Sequence, residues 1–423
     1  MIKILDYSAL GDKIFERKGE NSNVSEIVSD IIYKVKTEGD NALRFYSQKF
    51  DKVNLDSLEV SPEEFEQALK ETPSEFLRIL QDCAKNIREF HSNQVRKGFK
   101  IERENGVIIG QKITPIERAG LYVPGGTAAY PSTVLMDSIP AKIAGVKELY
   151  ITTPPNKEGK VNPVILAAAK IAGVDKVYKV GGAQAIAALA YGTETIKKVD
   201  KIVGPGNAFV AEAKRQVFGL VSIDMIAGPS EILVIADGKS NPKHVAADLL
   251  SQAEHDKMAS AVLVTESLEL AKAVQQEIEI QLEQLPRKEI ARVSIDSNGK
   301  IIVAKDIDEV ISVSNEIAPE HLELIVDNPF DYLDKITNAG SIFMGRFCPE
   351  ALGDYYAGPN HTLPTSGTAR FSSPLSVDDF IKKTQFTYYT EKALQDVYKD
   401  VAYFAKKEGL DAHAKSATVR FEK

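Results

Sequence analysis

The chain has 423 residues, 43% of them hydrophobic, and a formal net charge of −8. That is enough chain for two or three domains around a large core, and its acidic balance, with no dense run of lysine or arginine, argues against nucleic acid and anionic membrane as partners. The two cysteines, Cys83 and Cys348, supply neither a disulfide framework nor a cysteine zinc finger; the N-terminus lacks the apolar core of a signal peptide and no segment approaches a membrane span, so a soluble protein of a reducing, cytoplasmic compartment is expected.

The first hundred residues read as charged and helical. "SPEE" (61–64) is a helix start, with Ser61 as N-cap, Pro62 at the first helical position and Glu64 closing a capping box. "TPSE" (72–75) repeats the device with Thr72, Pro73 and Glu75, so that Pro73 ends one short helix and opens the next. "IERENGVIIGQKITPI" (101–116) reads as a hairpin turning at Asn105-Gly106.

From about residue 120 the short apolar runs "ELYITTP", "KVYKVGG", "KIVGPG", "EILVIAD" and "SAVLVTE" alternate with helical runs such as "VNPVILAAAKIAGV" and "NAFVAEAKRQVFG". This is the pattern of βαβ units and a parallel sheet. "AKIAGVKELYITTP" from 141 and "AKIAGVDKVYKVGG" from 169 each read as helix end, glycine C-cap and strand. The echo does not continue, so it marks a βα unit rather than a solenoid. A second alternating region runs from about 231 to 345. It is followed by "RFCPEALGDYYAGPNHTLPTSGTARFSSP", a loop without periodicity, long enough to suggest function. From "LSVDDF" on, the chain reads as a helical tail that includes the amphipathic "EKALQDVYKDVAYFAKKEG".

Six histidines can carry chemistry. His91 and His244 lie in helices without suitable polar company. In "SQAEHD" (251–256), Gln252 and His255 stand three apart and share a helix face, while Glu254 is rotated away. The face suits a zinc ion, or is a solvated helix end where histidine matches the macrodipole. "APEHLEL" (318–324) sets Glu320 beside His321, an acid–base pair or a helix's first turn. "GDYYAGPNHTLP" (353–364) offers Asp354 as a hard oxygen donor and His361 in the same loop, with Tyr355 and Tyr356 as pocket walls or loop anchors. "EGLDAHAKS" (408–416) carries Glu408 and His413. It is either a surface helix end followed by a short strand, or part of a site reached by folding back onto the body or onto another subunit.

Nucleophile chemistry has little support, since no "GxSxG" occurs and Cys348 has only Arg346 nearby to lower its pKa. No "GxGxxG" with a downstream acid occurs either. The glycine turns are "VPGGTAA" (123–129), "KVGGAQA" (179–185) and "VGPGNAF" (203–209). The last two lead from strand to helix, where backbone N–H groups can face a phosphate, or they are simple close-packed turns.

Together "GLYVPGG", "KVGGAQAIAALAYGT", "VGPGN", "AGPSEILVIAD", "LLSQAEHD", "APEHLEL", "GDYYAGPNHTLPTSGTAR" and "EGLDAH" run in order from about 120 to 413 and resemble the histidinol dehydrogenases. The resemblance implies an α/β fold of two incomplete Rossmann-like parallel-sheet domains, with a helical N-terminal segment and a helical C-terminal tail exchanged in the dimer. Its boundaries are a segment 1–20, a discontinuous domain 21–121 and 232–375 carrying zinc and catalytic residues, a domain 122–231 contacting NAD, and a tail 376–423. It implies oxidation of L-histidinol through the aldehyde to L-histidine with two NAD in sequence, in a homodimer without nucleic acid or membrane partners. One zinc per subunit would be held by Gln252, His255, Asp354 and a His413 from the partner chain. Glu320 and His321 would be the catalytic pair, the histidine taking the alcohol proton and the glutamate activating water. Ser230, His361 and Glu408 match substrate positions, as do Gln252, His255, His321, Asp354 and His413; Tyr122, Gln184 and Asn207 match NAD positions. Another small alcohol or diol as substrate, or a zinc hydrolase with Glu320 as base, are the alternatives.

Overall fold

The computed structural model describes residues 1–7, 24–125 and 129–422. Its strands are β1 (Lys3–Asp6), β2 (Phe99–Glu102), β3 (Ile108–Pro115), β4 (Arg118–Tyr122), β5 (Glu148–Thr152), β6 (Lys176–Tyr178), β7 (Lys201–Val203), β8 (Ser222–Ile223), β9 (Glu231–Ala236), β10 (Ser260–Thr265), β11 (Lys300–Val303), β12 (His321–Ile325), β13 (Ser341–Met344) and β14 (Ile381–Tyr388). Two compact units result, Met1–Gln94 with Ile116–Phe380, and Val95–Pro115 with Ile381–Lys423.

The first unit contains two all-parallel sheets. One has the order β1-β11-β10-β9-β12-β13, the other β6-β5-β4-β7-β8. Their strands are apolar at nearly every position because both faces are covered. Along β9, Ile232, Val234 and Ala236 enter one core while Leu233 and Ile235 enter the other. In each sheet the chain order reverses beside a central strand, between β9 and β12 and between β4 and β7.

The helices follow from local signals. Helices α1 (Val24–Glu38) and α2 (Asp40–Tyr46) pack on one face of the five-stranded sheet; α3 (Pro62–Glu71) and α4 (Ser74–Ser92) belong to the core on the other. The capping box of α3 forms as expected, with Ser61 Oγ accepting from the Glu64 N–H. The second device does not form. Thr72 Oγ1 donates back to the Ala68 carbonyl at 2.8 Å, satisfying an end of α3 instead of starting α4. After β4 come α5 (Pro131–Ala144), α6 (Pro163–Ala172), α7 (Gly182–Tyr191) and α8 (Ala208–Val217). Gly145 and Gly173 cap α5 and α6 at φ 94° and 79°, which explains the sequence echo. Around the six-stranded sheet lie α9 (Pro242–Ala253), α10 (Leu268–Leu282), α11 (Lys288–Ser297) and α12 (Ile307–Ile317), and α13 (Glu350–Tyr355) follows β13.

The second unit is an antiparallel sheet, β14-β3-β2, with α14 (Glu391–Lys407) and α15 (Asp411–Thr418). The hairpin at Asn105-Gly106 is present, Gly106 taking φ 81°.

Several expectations are corrected. Residues 24–92 were grouped with 232–375, but their apolar faces lie in the two cores of the five-stranded sheet, because α1 packs on α7 and α8 and α3 on α6. Strand β4 also belongs to that sheet. The N-terminal segment begins with a strand, since β1 pairs with β11, and residues 8–20 of that expectation lie outside the described residues. The tail is not wholly helical, since it contains β14, which pairs along its whole length with β3. The segment after His413 is helical, not a strand.

Two buried charge arrangements lie in the five-stranded half. Lys214 and Asp224 form an ion pair with both side chains 2% exposed. Stranding either charge would cost on the order of 3–5 kcal/mol. Asp137 on α5 is fully buried, accepts the Thr362 hydroxyl at 2.7 Å, and is pushed up to about 8, chiefly by burial. It is therefore protonated inside the fold at neutral pH. A raised carboxyl pKa gives stability that is complete at low pH and is lost as pH rises toward 8. Asp137→Asn, which cannot ionise, is expected to lose less melting temperature than the parent between pH 5 and pH 8. Parallel melting curves with equal slopes would contradict the buried neutral acid.

Candidate active site

Glu320 and His321 stand where α12 gives way to β12. Ala318 ends the helix in the left-handed conformation, and the chain enters the strand at His321. The pairing of β12 with β9 then brings the Glu231 peptide group against both residues. Its N–H donates to Glu320 Oε2 at 2.9 Å, and its carbonyl lies 3.0 Å from His321 Nδ1. A carbonyl only accepts, so Nδ1 carries the proton. Nε2 is left as a bare lone pair, buried and without a hydrogen-bond partner.

Gln252 reaches the same spot from the last turn of α9 and is fully buried. Its Nε2 donates to Glu350 Oε1 at 3.1 Å, and its Oε1 has no partner. The Nε2 also lies 3.0 Å from His321 Nδ1, but two N–H groups face each other there and no hydrogen bond results. Glu350 opens α13 and accepts from Ser251 Oγ at 3.3 Å, while its own N–H donates to Glu323 Oε1 at 2.6 Å. His321 Nε2 faces Glu350 Oε1 at 3.7 Å and Asp354 Oδ1 at 3.8 Å. Each of His321, Glu350 and Asp354 offers an atom within 4.8 Å of the others. A Cβ on Gly353 would lie 2.2 Å from a ring carbon of Phe343, so glycine there lets α13 approach β13 and carries Asp354 to the histidine.

The site is crowded with carboxyl groups. Among the described residues no lysine or arginine pairs with Glu320, Glu323, Glu350 or Asp354; the ion-pair contacts of Glu320, Glu350 and Asp354 are all with His321. Burial pushes Glu320 up to about 8, with the neighbouring His321 pulling the other way. Burial first and Asp354 second push Glu350 up to about 8. Burial and Asp248 push Glu323 up as well. Unpaired buried acids next to orphaned nitrogen and oxygen atoms form a donor set that suits a cation.

His255 follows the end of α9, its N–H on the Gln252 carbonyl at 3.1 Å. The residue is exposed, yet loss of water around the ring lowers its pKa while Asp354 pulls the other way. His361 has both ring nitrogens engaged. Nδ1 donates to the Asp354 carbonyl at 3.1 Å, so Nε2 accepts from Thr133 Oγ1 at 3.3 Å. Ser230 immediately precedes Glu231 at the head of β9 and is half-buried. His413 and Glu408 lie in the second unit, both exposed, the first on α15 and the second at the end of α14.

A second cluster lines the carboxyl ends of the five-stranded sheet. Tyr122, the last residue of β4, accepts the Gly182 N–H on its hydroxyl at 3.0 Å. Gln184 is buried one turn into α7. Asn207 caps α8 through the N–H groups of Phe209 and Val210. Residues 126–128 of the first glycine turn lie outside the described residues.

The model of the family described as histidinol dehydrogenase matches residues 15–421. A histidinol dehydrogenase of Clostridium acetobutylicum is 57% identical over 99% of this chain and 98% of its own length, and one of Listeria monocytogenes is 54% identical over 100% and 99%. The crystal structure of the histidinol dehydrogenase from Elizabethkingia anophelis superposes with a TM-score of 0.94 at 42% identity, over 99% of this chain and 98% of that one. The chain belongs to the histidinol dehydrogenase family.

It is therefore an oxidoreductase of a family that oxidises histidinol to histidine and that in general uses NAD and zinc. These relatives give no support to a hydrolase or to a different alcohol. For a histidinol dehydrogenase, the fold brings together Gln252, Glu320, His321 and Asp354 of the expected residues, with Ser230 directly before the Glu231 peptide. His413 and Glu408 stay outside that cluster's unit. Glu350 was missed. It lies in the loop read as aperiodic, and the six residues of α13 are too few to show a period. The proline before Glu350, a helix-start signal, could have marked it. Glu350→Ala frees the Gln252 amide to turn and is expected to weaken zinc binding about 10–100-fold. Glu350→Gln keeps an oxygen for that amide and should weaken it less. Competition with a chromogenic chelator measures both; equal affinities in parent and alanine variant would remove Glu350 from the site.

Proposed function

We propose that the chain oxidises L-histidinol through L-histidinal to L-histidine, with two NAD in succession, at the cluster built around His321. The observation that carries this reading is the bare His321 Nε2, buried and with its tautomer fixed by the Glu231 carbonyl. In the first oxidation the alcohol carbon gives a hydride to NAD and the hydroxyl proton passes to Nε2. The imidazolium formed there keeps its Nδ1–H on the Glu231 carbonyl and faces the carboxyls of Glu350 and Asp354. In the second, Glu320 takes a proton from the water that adds to the aldehyde, and the hydrate loses its hydride to a second NAD. Glu320 is fixed for this by the Glu231 N–H, and a positive ion in the pocket would favour its ionised form, which accepts the proton.

Zinc fits the carboxyl-rich pocket. Gln252 through its orphaned Oε1, His255 and Asp354 would hold it, with His413 of a second copy as fourth ligand, one ion per subunit. When bound, zinc would hold and polarise the nitrogen and oxygen donors of the substrate. The remaining residues orient: Ser230, His361 and Glu408 of the second copy flank the substrate, and His361 also tethers the Asp354 backbone to α5. Tyr122, Gln184 and Asn207 contact NAD. A homodimer is supported by exposed apolar residues beside Glu408 on α14, Tyr403 at 65% and Phe404 at 68%. No helix among the described residues is long and apolar enough to cross a membrane, and we place the enzyme in the cytoplasm.

Purified protein loaded with zinc is expected to form two NADH per histidinol, read at 340 nm; no NADH would overturn the assignment. Glu320→Gln should slow oxidation of supplied histidinal far more than oxidation of histidinol to the aldehyde, by about 10²–10⁴-fold for a lost general base. Equal losses in both half-reactions would exclude water activation. His413→Asn should lose zinc while its melting curve keeps a single cooperative transition. Metal analysis that finds the parent's zinc content would contradict a ligand from the tail.

A further inference from the structure

The β7–α8 turn, "VGPGN", is held in place by the buried ion pair of the five-stranded half. Lys214 Nζ donates to the Gly204 carbonyl at 3.0 Å, and Asp224 Oδ2 accepts the Gly204 N–H at 2.8 Å. The two side chains meet each other and are almost fully excluded from water. Both polar groups of one glycine are thus taken by one buried ion pair. Gly204 has φ 108°, and a Cβ there would lie 2.2 Å from the Tyr122 carbonyl. The residue is therefore wedged against the end of β4, at the point where the strand order of this sheet reverses. In open parallel sheets a ligand binds in the crevice outside the carboxyl ends at such a point. Three residues after Gly204, Asn207 caps α8 and presents the first N–H groups of that helix.

We propose that Lys214 and Asp224 are positioning residues for the dinucleotide: they touch no ligand, and they fix the Gly204 peptide so that the turn and the start of α8 present one constant surface to NAD. This rests on the reading that NAD binds at the carboxyl ends of the five-stranded sheet. A loose glycine peptide at that point would sample other conformations, and the fraction of molecules able to bind would fall. A buried pair that merely supported the fold would affect substrate, metal and cofactor alike. Among the described residues the hydrogen bonds of this pair go to Gly204 and, through Asp224 Oδ1, to the Met225 N–H, and to no residue of the His321 cluster.

The test uses the zinc-loaded full-length enzyme. Lys214→Met/Asp224→Leu removes both holds without stranding a charge. Its KM for NAD is expected to rise about tenfold or more, the scale of losing one or two positioned contacts, with KM for histidinol and zinc content close to those of the parent. Lys214→Met/Asp224→Asn keeps an oxygen acceptor for the Gly204 N–H and should show a smaller rise; it also serves as the test if the leucine variant does not fold. A folded variant with the parent's KM for NAD overturns the proposal. So does a rise in KM for histidinol or a loss of zinc equal to the effect on NAD, since that is a general structural role. Asn207→Ala separates the two levels. If it raises KM for NAD while the pair variants do not, only the positioning role fails; if neither changes it, NAD does not use this turn and the underlying reading fails with it.

Discussion

One peptide group sets the geometry of the His321 cluster. The Glu231 N–H holds Glu320 and the Glu231 carbonyl holds His321, and both bonds exist only because β12 lies parallel to β9 in the observed register. A shift of one residue along that ladder would turn every side chain of β12 to the other face of the sheet. The apolar alternation forbids the shift: Leu322 and Leu324 on β12 and Leu233 and Ile235 on β9 occupy one core. Hydrophobic burial thus fixes the register, and the register fixes an unpartnered imidazole nitrogen and a buried carboxyl within one residue of each other. This is a stiffer support than a loop provides.

The two halves of the first unit handle buried charge in opposite ways. In the five-stranded half Asp224 is neutralised by Lys214, and the pair is spent on holding a backbone. In the six-stranded half Glu320, Glu323 and Glu350 are buried with no lysine or arginine partner among the described residues, and all three are pushed up in pKa. Burying an unpaired carboxylate is costly, and the group responds by holding its proton. A cation entering the pocket reverses that balance, because the acids that resist ionisation alone gain by it beside a positive charge. The cost of burying these acids would therefore become part of the affinity for a cation.

The edges of the two sheets are used differently. The His321 cluster lies at the amino ends of β9 and β12, whereas Tyr122, Gly204 and Gly182 lie at the carboxyl ends of β4, β7 and β6. The loop after α13 joins the edges within the first unit. His361 bonds Thr133 and the Asp354 backbone, Asn360 Nδ2 donates to the Met136 carbonyl at 2.6 Å, and Thr362 bonds Asp137. The loop's length, read from the sequence as a sign of function, is the distance it has to cover.

The alternation of apolar strands with alanine-rich helices was legible because parallel strands buried on both faces have no other way to be written. The glycine caps at Gly145 and Gly173 were legible because the left-handed conformation admits few residues. Which sheet each early helix would cover was not, since the amphipathic faces of α1 and α3 specify that they are buried and not against what. The site divides along the same line. Glu320 and His321 could be paired by adjacency, whereas the helical spacing that sets Gln252 beside His255 fails at the end of α9, which stops at Ala253. Glu350 could not, because its role depends on a contact across 98 residues to Gln252 and on Gly353 admitting the Phe343 ring, and neither relation leaves a local pattern. What a sequence hides is the long-range partner that gives a polar residue its orientation, and Gln252, Glu320 and His321 each have one.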